Sequence, residues 1–188
     1  MKLTVTPRGN KTKGETKVIR REGNIPAILY STERPCEPII VNGVEFSTHL
    51  RALKPGHLST TIFTLSDGKK ERRVIIKDIQ HNITNYRVAH IDFEELLDGV
   101  LVNLNIPITL ASVAECVGVK LGGFLRQVIR AVKVQCLPKD IPSEFFLDVK
   151  DLGIKQVRRL SEIVMPQGVK PLAKLEEVVV VVAKAKAS

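Results

Sequence analysis

Apolar and polar residues alternate with a period of two along several stretches of this chain. Leu3 and Val5 alternate with polar neighbours near the start, and the run Val100–Leu110 alternates over a longer span. Farther on, positions 132, 134 and 136 are apolar, whereas positions 133 and 135 are polar. This period is typical of strands that bury one face and expose the other. The pattern therefore predicts a mainly β protein of the β-rich α+β class.

Punctuating residues divide the other apolar runs into short elements. Asn42-Gly43 begins one predicted helix and Lys54-Pro55-Gly56 ends it. Ser66-Asp67-Gly68-Lys69 is a strong signal for a hairpin. The segment Leu147–Leu152 fits either a short helix or a turn, and Lys184–Ser188 fits a frayed tail. The apolar face of the helix is predicted to consist of Val44, Phe46, Leu50 and Leu53. Further strands are predicted at Ile25–Tyr30, Ile39–Val41, Thr60–Leu65, Arg72–Ile79, Tyr86–Phe93, Val128–Leu137, Val157–Ile163 and Val178–Val182.

The charged connector Glu94–Gly99, where the pattern changes, separates two predicted β-rich domains at residues 1–94 and 95–188. Formal net charge is +9. Residues 1–93 carry 16 Lys and Arg against 9 Asp and Glu, a net of +7, and residues 94–188 carry 13 against 11, a net of +2. We therefore expect the first half to contact a polyanion.

The stretch Arg8–Tyr30 combines a cationic first half with an apolar strand. Lys and Arg stand at positions 8, 11, 13, 17, 20 and 21, and glycines interrupt the run. Because this half contains almost nothing that could enter a core, we expect a flexible cationic arm tied to a rigid element. Binding to an RNA or DNA backbone could offset the conformational entropy that such an arm loses when it becomes ordered. A solvated surface loop is the alternative.

Composition narrows the function classes further. The chain has no Trp and 4% aromatic residues, which argues against a single-strand binder built on several stacking platforms. Cys36, Cys116 and Cys136 have no Cys-x-x-Cys spacing and indicate thiols in a reducing compartment. No signal peptide is recognisable, and the apolar run Val178–Ala183 is too short to span a bilayer. We expect a soluble cytoplasmic protein.

Catalysis and metal binding have little local support. The four histidines show no His-x-x-x-His spacing,. The glycines of Gly118-Val-Lys-Leu-Gly-Gly123 resemble a phosphate loop, but Phe124 and Leu125 stand where Lys and Ser or Thr are needed, so a glycine-rich β-turn is favoured. We expect no catalytic residue, no metal and no cofactor. An enzyme that uses Cys136 or the histidines stays an alternative.

A sharper set of residues is His90-Ile-Asp-Phe93. In a strand, His90 and Asp92 point to one face, and the two apolar residues anchor the other face in the core. Lys77 and Gln80 lie in the preceding strand-to-loop region. A rigid face of this kind beside a basic arm suits duplex RNA, since cations take phosphates while polar groups reach 2′-hydroxyls and base edges. Asp92 would accept a hydrogen bond from the RNA or orient His90. An ordinary strand edge with surface polar residues is the alternative.

These motifs resemble those of the bacterial large-subunit ribosomal protein number twenty-five family, in its long two-domain form, also called the general stress protein Ctc family. The resemblance covers nearly the whole chain. It rests on Arg8 with the Gly/Lys-rich arm, Ile25–Tyr30, Lys77-Asp-Ile-Gln80, His90–Phe93, Asn105-Ile-Pro107, Gly118–Gly123, Cys136–Pro142, Asp148-Val149 and Met165–Gly168. The arm departs from the family's pattern at Glu15, Lys17 and Val18.

The resemblance implies a closed six-stranded β-barrel for the first domain and a separate, mainly antiparallel β second domain. The family binds 5S rRNA as a structural, non-catalytic protein of the large ribosomal subunit. The implied partners are 5S rRNA and neighbouring large-subunit components, with a monomer in the ribosome and neither a membrane nor a small-molecule substrate. The alternative is a free stress-associated factor that binds other proteins off the ribosome. Carried over residue by residue, the RNA-binding set is Arg8, Arg20, Tyr30, His90 and Asp92, supported by Lys13, Lys17, Lys77 and Gln80.

Overall fold

A computed structural model describes residues 1–9, 12–68 and 70–184. The chain divides into two compact units, Met1–Val100 and Leu101–Ser188. Arm residue Lys11, turn residue Lys69 and the tail residues 185–188 lie outside the described residues.

The strands of the first unit form a closed barrel, as the resemblance implied. Within the described residues they are β1 Lys2–Pro7, β2 Ile25–Tyr30, β3 Glu37–Val41, β4 Phe63–Ser66, β5 Glu71–His81 and β6 Val88–Glu95. Their order is β1-β3-β2-β6-β5-β4, and β4 returns to β1 to close the ring. β1 pairs in parallel with β4, and β2 pairs in parallel with β6. Closure removes the exposed sheet edges that would otherwise invite pairing with other chains.

Two helices accompany this barrel, α1 Lys13–Arg21 and α2 Gly43–Ala52. The Asn42 side chain accepts hydrogen bonds from the α2 backbone at 2.9 and 3.2 Å, which confirms the predicted helix start. Phe46 of α2 is fully buried, and its ring lies 6.5 Å from the ring of Phe63. The inclusion of Val44 in the apolar face is wrong, because this side chain is 74% exposed. Val44 lies about 200° around the helix from Phe46, outside the stripe that faces the core.

The flexible arm predicted for residues 8–21 is also wrong over the described residues, because most of it is helix α1. The Thr12 hydroxyl caps the helix by accepting from Glu15 N at 3.4 Å. At the other end, Asn24 N donates to Ile19 O at 3.1 Å and Gly23 N donates to Arg20 O at 3.3 Å. This pair of bonds is a Schellman motif, which requires the positive φ that Gly23 supplies at 82°,. Ile19 is the buried anchor of the helix.

The second unit contains two sheets within its described residues. Its strands are β7 Val102–Ala111, β8 Gly123–Gln127, β9 Ala131–Cys136, β10 Phe145–Asp148, β11 Val157–Arg159, β12 Lys170–Pro171 and β13 Val178–Lys184, and its helix is α3 Val117–Lys120. One sheet has the order β10-β7-β9-β12 and the other has the order β11-β13-β8. The predicted two-faced pattern of positions 132–136 is confirmed, since Val132, Val134 and Cys136 are buried.

Several predicted boundaries shift. Thr60 belongs to a 3-10 turn before β4, residues 128–130 precede β9, and the predicted strand Val157–Ile163 becomes β11 followed by a 3-10 turn at Leu160–Glu162. Leu147 and Asp148 end strand β10, and a turn follows them. Lys184 is the last residue of β13 and not part of a frayed tail.

The glycine-rich segment 118–123 contains the end of helix α3, a turn at Leu121-Gly122 and the first residue of β8. The predicted glycine-rich turn is therefore confirmed at Gly122, whose φ is 83°, whereas residues 118–120 are helical. A Cβ added at Gly118 or Gly123 would lie 2.8 or 2.7 Å from Val182 Cγ1. Both glycines therefore allow α3 and β8 to approach β13 closely. Packing explains this motif without a bound phosphate.

Candidate nucleic-acid interface

The polar surface of interest is the outer face of three adjacent barrel strands, β2, β6 and β5. Strand register aligns Ile28 of β2 and Asp78 of β5 with Asp92 of β6. It also aligns Gln80 with His90. We call these strands' outward side chains the polar face, which consists of Tyr30, Lys77, Asp78, Gln80, His90, Asp92 and Glu94.

His90 and Asp92 lie together on this face, as their spacing predicted. His90 Nδ1 is 2.7 Å from Asp92 Oδ1, and the two side chains are 28% and 33% exposed. Ile91 and Phe93 are fully buried in the barrel and fix the backbone between them. A carboxylate can only accept, so Nδ1 carries the proton and Nε2 remains as the second hydrogen-bonding atom of the ring. Asp92 thus orients His90, which was one of its two predicted roles.

A β-bulge controls which side chains of β5 reach the polar face. Register with β6 shifts between Ile76 and Asp78, which makes Lys77 the extra residue. Ile76 therefore points inward and is buried, and Ile79 packs against the same core three positions later. Without the bulge, the period of two would turn Asp78 inward. Lys77 lies within β5, as the predicted strand Arg72–Ile79 required, whereas Gln80, predicted to follow the strand, also belongs to β5 because the strand extends to His81.

Lys77 is held on the face by an ion pair, with its Nζ 2.8 Å from Glu94 Oε2. Glu94 lies opposite Tyr30 in the β2–β6 register. Burial raises the pKa of Tyr30 to about 12, and the carboxylates of Glu94 and Asp92 add to the effect. The phenol therefore keeps its proton at neutral pH and can act as an O–H donor.

Helix α1 brings its cations to a fixed position beside this face. Arg8 Nη2 donates to Thr16 Oγ1 at 2.7 Å, so Arg8, the residue after β1, holds the helix against the end of that strand. Arg20 Nε donates to Ala89 O at 3.0 Å, next to His90 in β6. Lys13 and Lys17 are exposed. Within residues 12–68 and 70–184, no carboxylate forms an ion pair with either of these lysines.

The structure thus brings most of the predicted set to two neighbouring surfaces. Tyr30, Lys77, Gln80, His90 and Asp92 belong to the polar face, and Arg20 joins helix α1 to it. Sequence reasoning missed Asp78 and Glu94. Strand pairing is the signal that locates both, because they align with residues already assigned to the face.

Cys136 and the histidines are the residues that the enzyme alternative would use. Burial raises the pKa of the Cys136 thiol, and nearby Asp140 raises it further, so the reactive thiolate is disfavoured,. His49 Nε2 is 2.9 Å from Lys2 O, and His81 Nδ1 is 3.1 Å from Tyr86 O. Among the described residues, no cluster of three His, Cys, Asp or Glu side chains could hold a metal ion.

A search of the same residues for apolar helices of membrane-spanning length finds none.

The fold defines a β-rich protein with a closed barrel in its first unit and separate sheets in its second. The model of the ribosomal L25p family matches residues 3–93, and the model of the ribosomal protein TL5 C-terminal domain matches residues 101–186. Relatives named large ribosomal subunit protein bL25 match over nearly the whole chain. Those of Chlamydia trachomatis serovar D, Chlamydia abortus and Chlamydia pneumoniae are 48%, 47% and 45% identical, and each match covers 98% of this chain and all of the relative. The chain belongs to the bacterial ribosomal protein family bL25, in the form with a TL5-type second domain.

Proposed function

We propose that this protein is a structural, non-catalytic component of the large ribosomal subunit in the cytoplasm, and that its first unit binds 5S rRNA. Family membership supports the ribosomal part of the proposal. The observation that carries the RNA part is the hydrogen-bonded His90–Asp92 pair on a rigid barrel face, beside a helix that presents cations.

The cations on and beside helix α1 and the side chains of the polar face contact different parts of the duplex. Arg8, Arg20, Lys13 and Lys17 take phosphates, since guanidinium and ammonium groups contact the backbone without reading sequence. His90, Asp92, Gln80 and Tyr30 supply donors and acceptors that reach 2′-hydroxyls and base edges across the shallow minor groove of RNA. Lys77 acts through Glu94, whose charge it offsets.

Because α1 is already folded and braced, binding needs less ordering than a flexible arm would require. Asp92 is the unusual member, since a carboxylate near phosphates is unfavourable unless it accepts a hydrogen bond. Its bond to His90 gives it one partner and lets the pair act as a unit,.

The test combines two measurements on the full chain. Sedimentation of cell extract through a sucrose gradient should place the protein with large subunits, and absence from that fraction contradicts the ribosomal role. Filter retention should show tighter binding to 5S rRNA than to an unrelated duplex RNA of equal length, with affinity that falls steeply with salt. Equal retention of both RNAs contradicts the selective site, and a protein that stays free of ribosomes supports the stress-factor alternative.

A further inference from the structure

A groove of about 590 Å³ lies in the first unit, outside the polar face. Its walls are the outer side of α2 and the loop between β5 and β6, and the end of α1 borders it. The helix ends meet tightly there, because a Cβ added at Gly43 would overlap the carbonyl oxygen of Gly23. The elements that bound the groove are therefore packed against each other. The groove lies outside the hydrophobic core of the barrel.

Hydrogen bonds within the loop between β5 and β6 constrain its conformation. Asn82 N donates to Arg87 O at 2.8 Å, and Tyr86 N donates to Asn82 O at 2.9 Å. The side-chain oxygens of Asn82 and Asn85 accept from Thr84 N and Arg87 N, each at 3.0 Å. These turns hold the loop in one conformation without help from a buried side chain.

Tyr86 is the residue that this loop presents. It lines the groove, and its side chain is 81% exposed. Its φ of 54° lies in the left-handed region, which bulky residues rarely adopt,. Tyr86 thus combines an exposed aromatic ring with an unfavourable backbone conformation. Folding alone does not explain this combination.

The groove is also cationic. Arg20, Arg51 and Arg87 line it, and no Asp or Glu is among its lining residues in the described part of the chain. Arg20 uses its Nε on Ala89 O. For Arg51 and Arg87, the described residues include no carboxylate partner. The amides of Asn24, Asn82 and Asn85 also border the groove.

We propose that this groove binds one unpaired nucleotide of the RNA that lies on the polar face. The base stacks on Tyr86, its phosphate contacts Arg51 and Arg87, and the asparagine amides contact its edge. The inference rests on the proposed function and deepens it. RNA is favoured over an acidic peptide because Ala89 and Arg20 border the groove and adjoin His90, so a strand bound at the face continues directly into the groove. A flat, exposed ring also suits a base better than an aliphatic carboxylate.

The experiment uses the full chain and two synthetic RNAs, a fully paired duplex and the same duplex with one bulged 2-aminopurine. Affinity is measured by fluorescence anisotropy of an end label at fixed salt, and stacking is measured by quenching of the 2-aminopurine. Wild type should prefer the bulged RNA by roughly tenfold, the effect of one base stacked on an aromatic side chain.

Substitutions inside the groove are compared with control substitutions outside it. Tyr86→Asn, which tolerates positive φ, should abolish both the preference and the quenching while leaving paired-duplex affinity within about twofold. Tyr86→Phe should keep the preference. Arg51→Ala and Arg87→Ala should weaken binding of the bulged RNA more than of the paired RNA, whereas Lys54→Ala, an exposed charge beyond the groove, should affect both equally. Ile83→Ala, at the 90% exposed tip of the same loop, should change neither.

Each outcome is decisive. Equal affinity of wild type for the two RNAs, or a preference that survives Tyr86→Asn, overturns the inference. If 5S rRNA still binds selectively in that case, the proposed function stands and only the groove assignment fails. If wild type binds neither RNA nor 5S rRNA, both fail.

A labelled oligoglutamate peptide that binds wild type and not Tyr86→Asn, without any bulge preference, would assign the groove to an acidic protein segment and overturn the RNA proposal. Circular dichroism checks the fold of every variant.

Discussion

The two units carry almost the same net charge and yet present different chemistry. Divided after Val100, the first unit has 16 Lys and Arg against 12 Asp and Glu, a net of +4, and the second has 13 against 8, a net of +5. The net charge of +7 counted for residues 1–93 falls to +4 at this boundary, because Glu94, Glu95 and Asp98 belong to the first unit. Net charge therefore does not decide which unit is the RNA-binding one.

The difference lies in the polar side of each sheet. In the second unit, register places Asn103 beside Gln135, Asn105 beside Lys133, and Lys170 beside Gln135. This side offers amides and ammonium groups from β7, β9 and β12 and, from β10, the carboxylate of Asp148, which accepts from Lys150 N at 3.0 Å. The strand residues described on this side include no imidazole. The first unit's polar face contains the bonded His90–Asp92 pair. Ammonium groups attract any polyanion, whereas fixed donors and acceptors discriminate between partners.

Separating the units should give the largest effect. Residues 1–100 contain a complete barrel core, so this piece should fold and bind 5S rRNA on the order of 100-fold more tightly than residues 101–188. Any binding by the second piece should fall steeply with salt and ignore RNA sequence. Filter retention over a salt series measures both. Comparable, selective binding by residues 101–188 would remove the basis of the comparison.

Replacing the face carboxylate should give the next largest effect. Asp92→Ala strands His90 Nδ1 and any RNA donor, which should weaken 5S rRNA binding by roughly 1–3 kcal/mol. Asp78→Ala is the matched control, because Asp78 lies opposite Asp92 and makes no bond to His90 in the described structure. Removing it should leave binding unchanged or slightly tighter. Filter retention at fixed salt reports the sign, and tighter binding by Asp92→Ala would show that Asp92 only repels phosphates.

Removing the helix cap should give a smaller effect, confined to the first unit. Thr12→Ala deletes the acceptor for Glu15 N and should destabilise α1 by about 1 kcal/mol,. Amide hydrogen exchange should speed up in residues 15–21, and RNA affinity should fall by only a few-fold because the cations remain. Ser47→Ala, in the interior of α2, should leave α1 exchange unchanged. Unaltered exchange in Thr12→Ala would mean that tertiary contacts alone hold the helix.

The smallest effect belongs to the second unit. Glu162 accepts from Arg159 N at 2.9 Å and from Arg158 Nη1 at 2.6 Å, and these contacts, the Arg159 N–H first, lower its pKa. A lowered pKa contributes stability above the ordinary value of 4.5, and the contribution is lost as pH falls through the folded-state pKa,. Glu162→Gln should therefore cost about 0.5–1 kcal/mol at neutral pH and less in acid.

Urea unfolding of the residue 101–188 piece at both pH values checks the Glu162 prediction. RNA binding by the full chain should not change. A cost that stays constant with pH would show that Glu162 acts through packing and not through its charge.

Several strands of the first unit and part of its polar face could be predicted from local pattern, whereas closure of the barrel was implied only by the family resemblance. The alternation of His90 to Phe93 placed His90 and Asp92 on one side, and Asp67-Gly68 correctly marked the turn between β4 and β5. These features depend on a period of two and on turn chemistry, which neighbouring residues determine.

The remainder depended on signals that were overlooked or on distant contacts. Residues 13–21 were predicted to be a flexible arm because of their many charged side chains, and helix α1 was not predicted. Thr12-x-x-Glu15 is nevertheless a recognised helix-start signal, and Gly23 is a typical helix end. The groove joins residues from α1, α2 and the β5–β6 loop. No periodicity in the sequence could bring those segments together.

The bulge at Lys77 lets β5 contain one additional residue without changing the face that its later side chains occupy,. Ile76, Asp78 and Ile79 pair with Phe93, Asp92 and Ile91, three consecutive residues of β6, so Lys77 is accommodated as one residue without a partner in β6. Deletion of Lys77 would therefore leave Ile79 inward and Asp78 and Gln80 outward, at the cost of the ion pair with Glu94 and of the local bend,. During divergence of this family, β5 should therefore tolerate loss of a residue at position 77 better than at its other positions, where one lost residue would turn the side chains that follow to the opposite face.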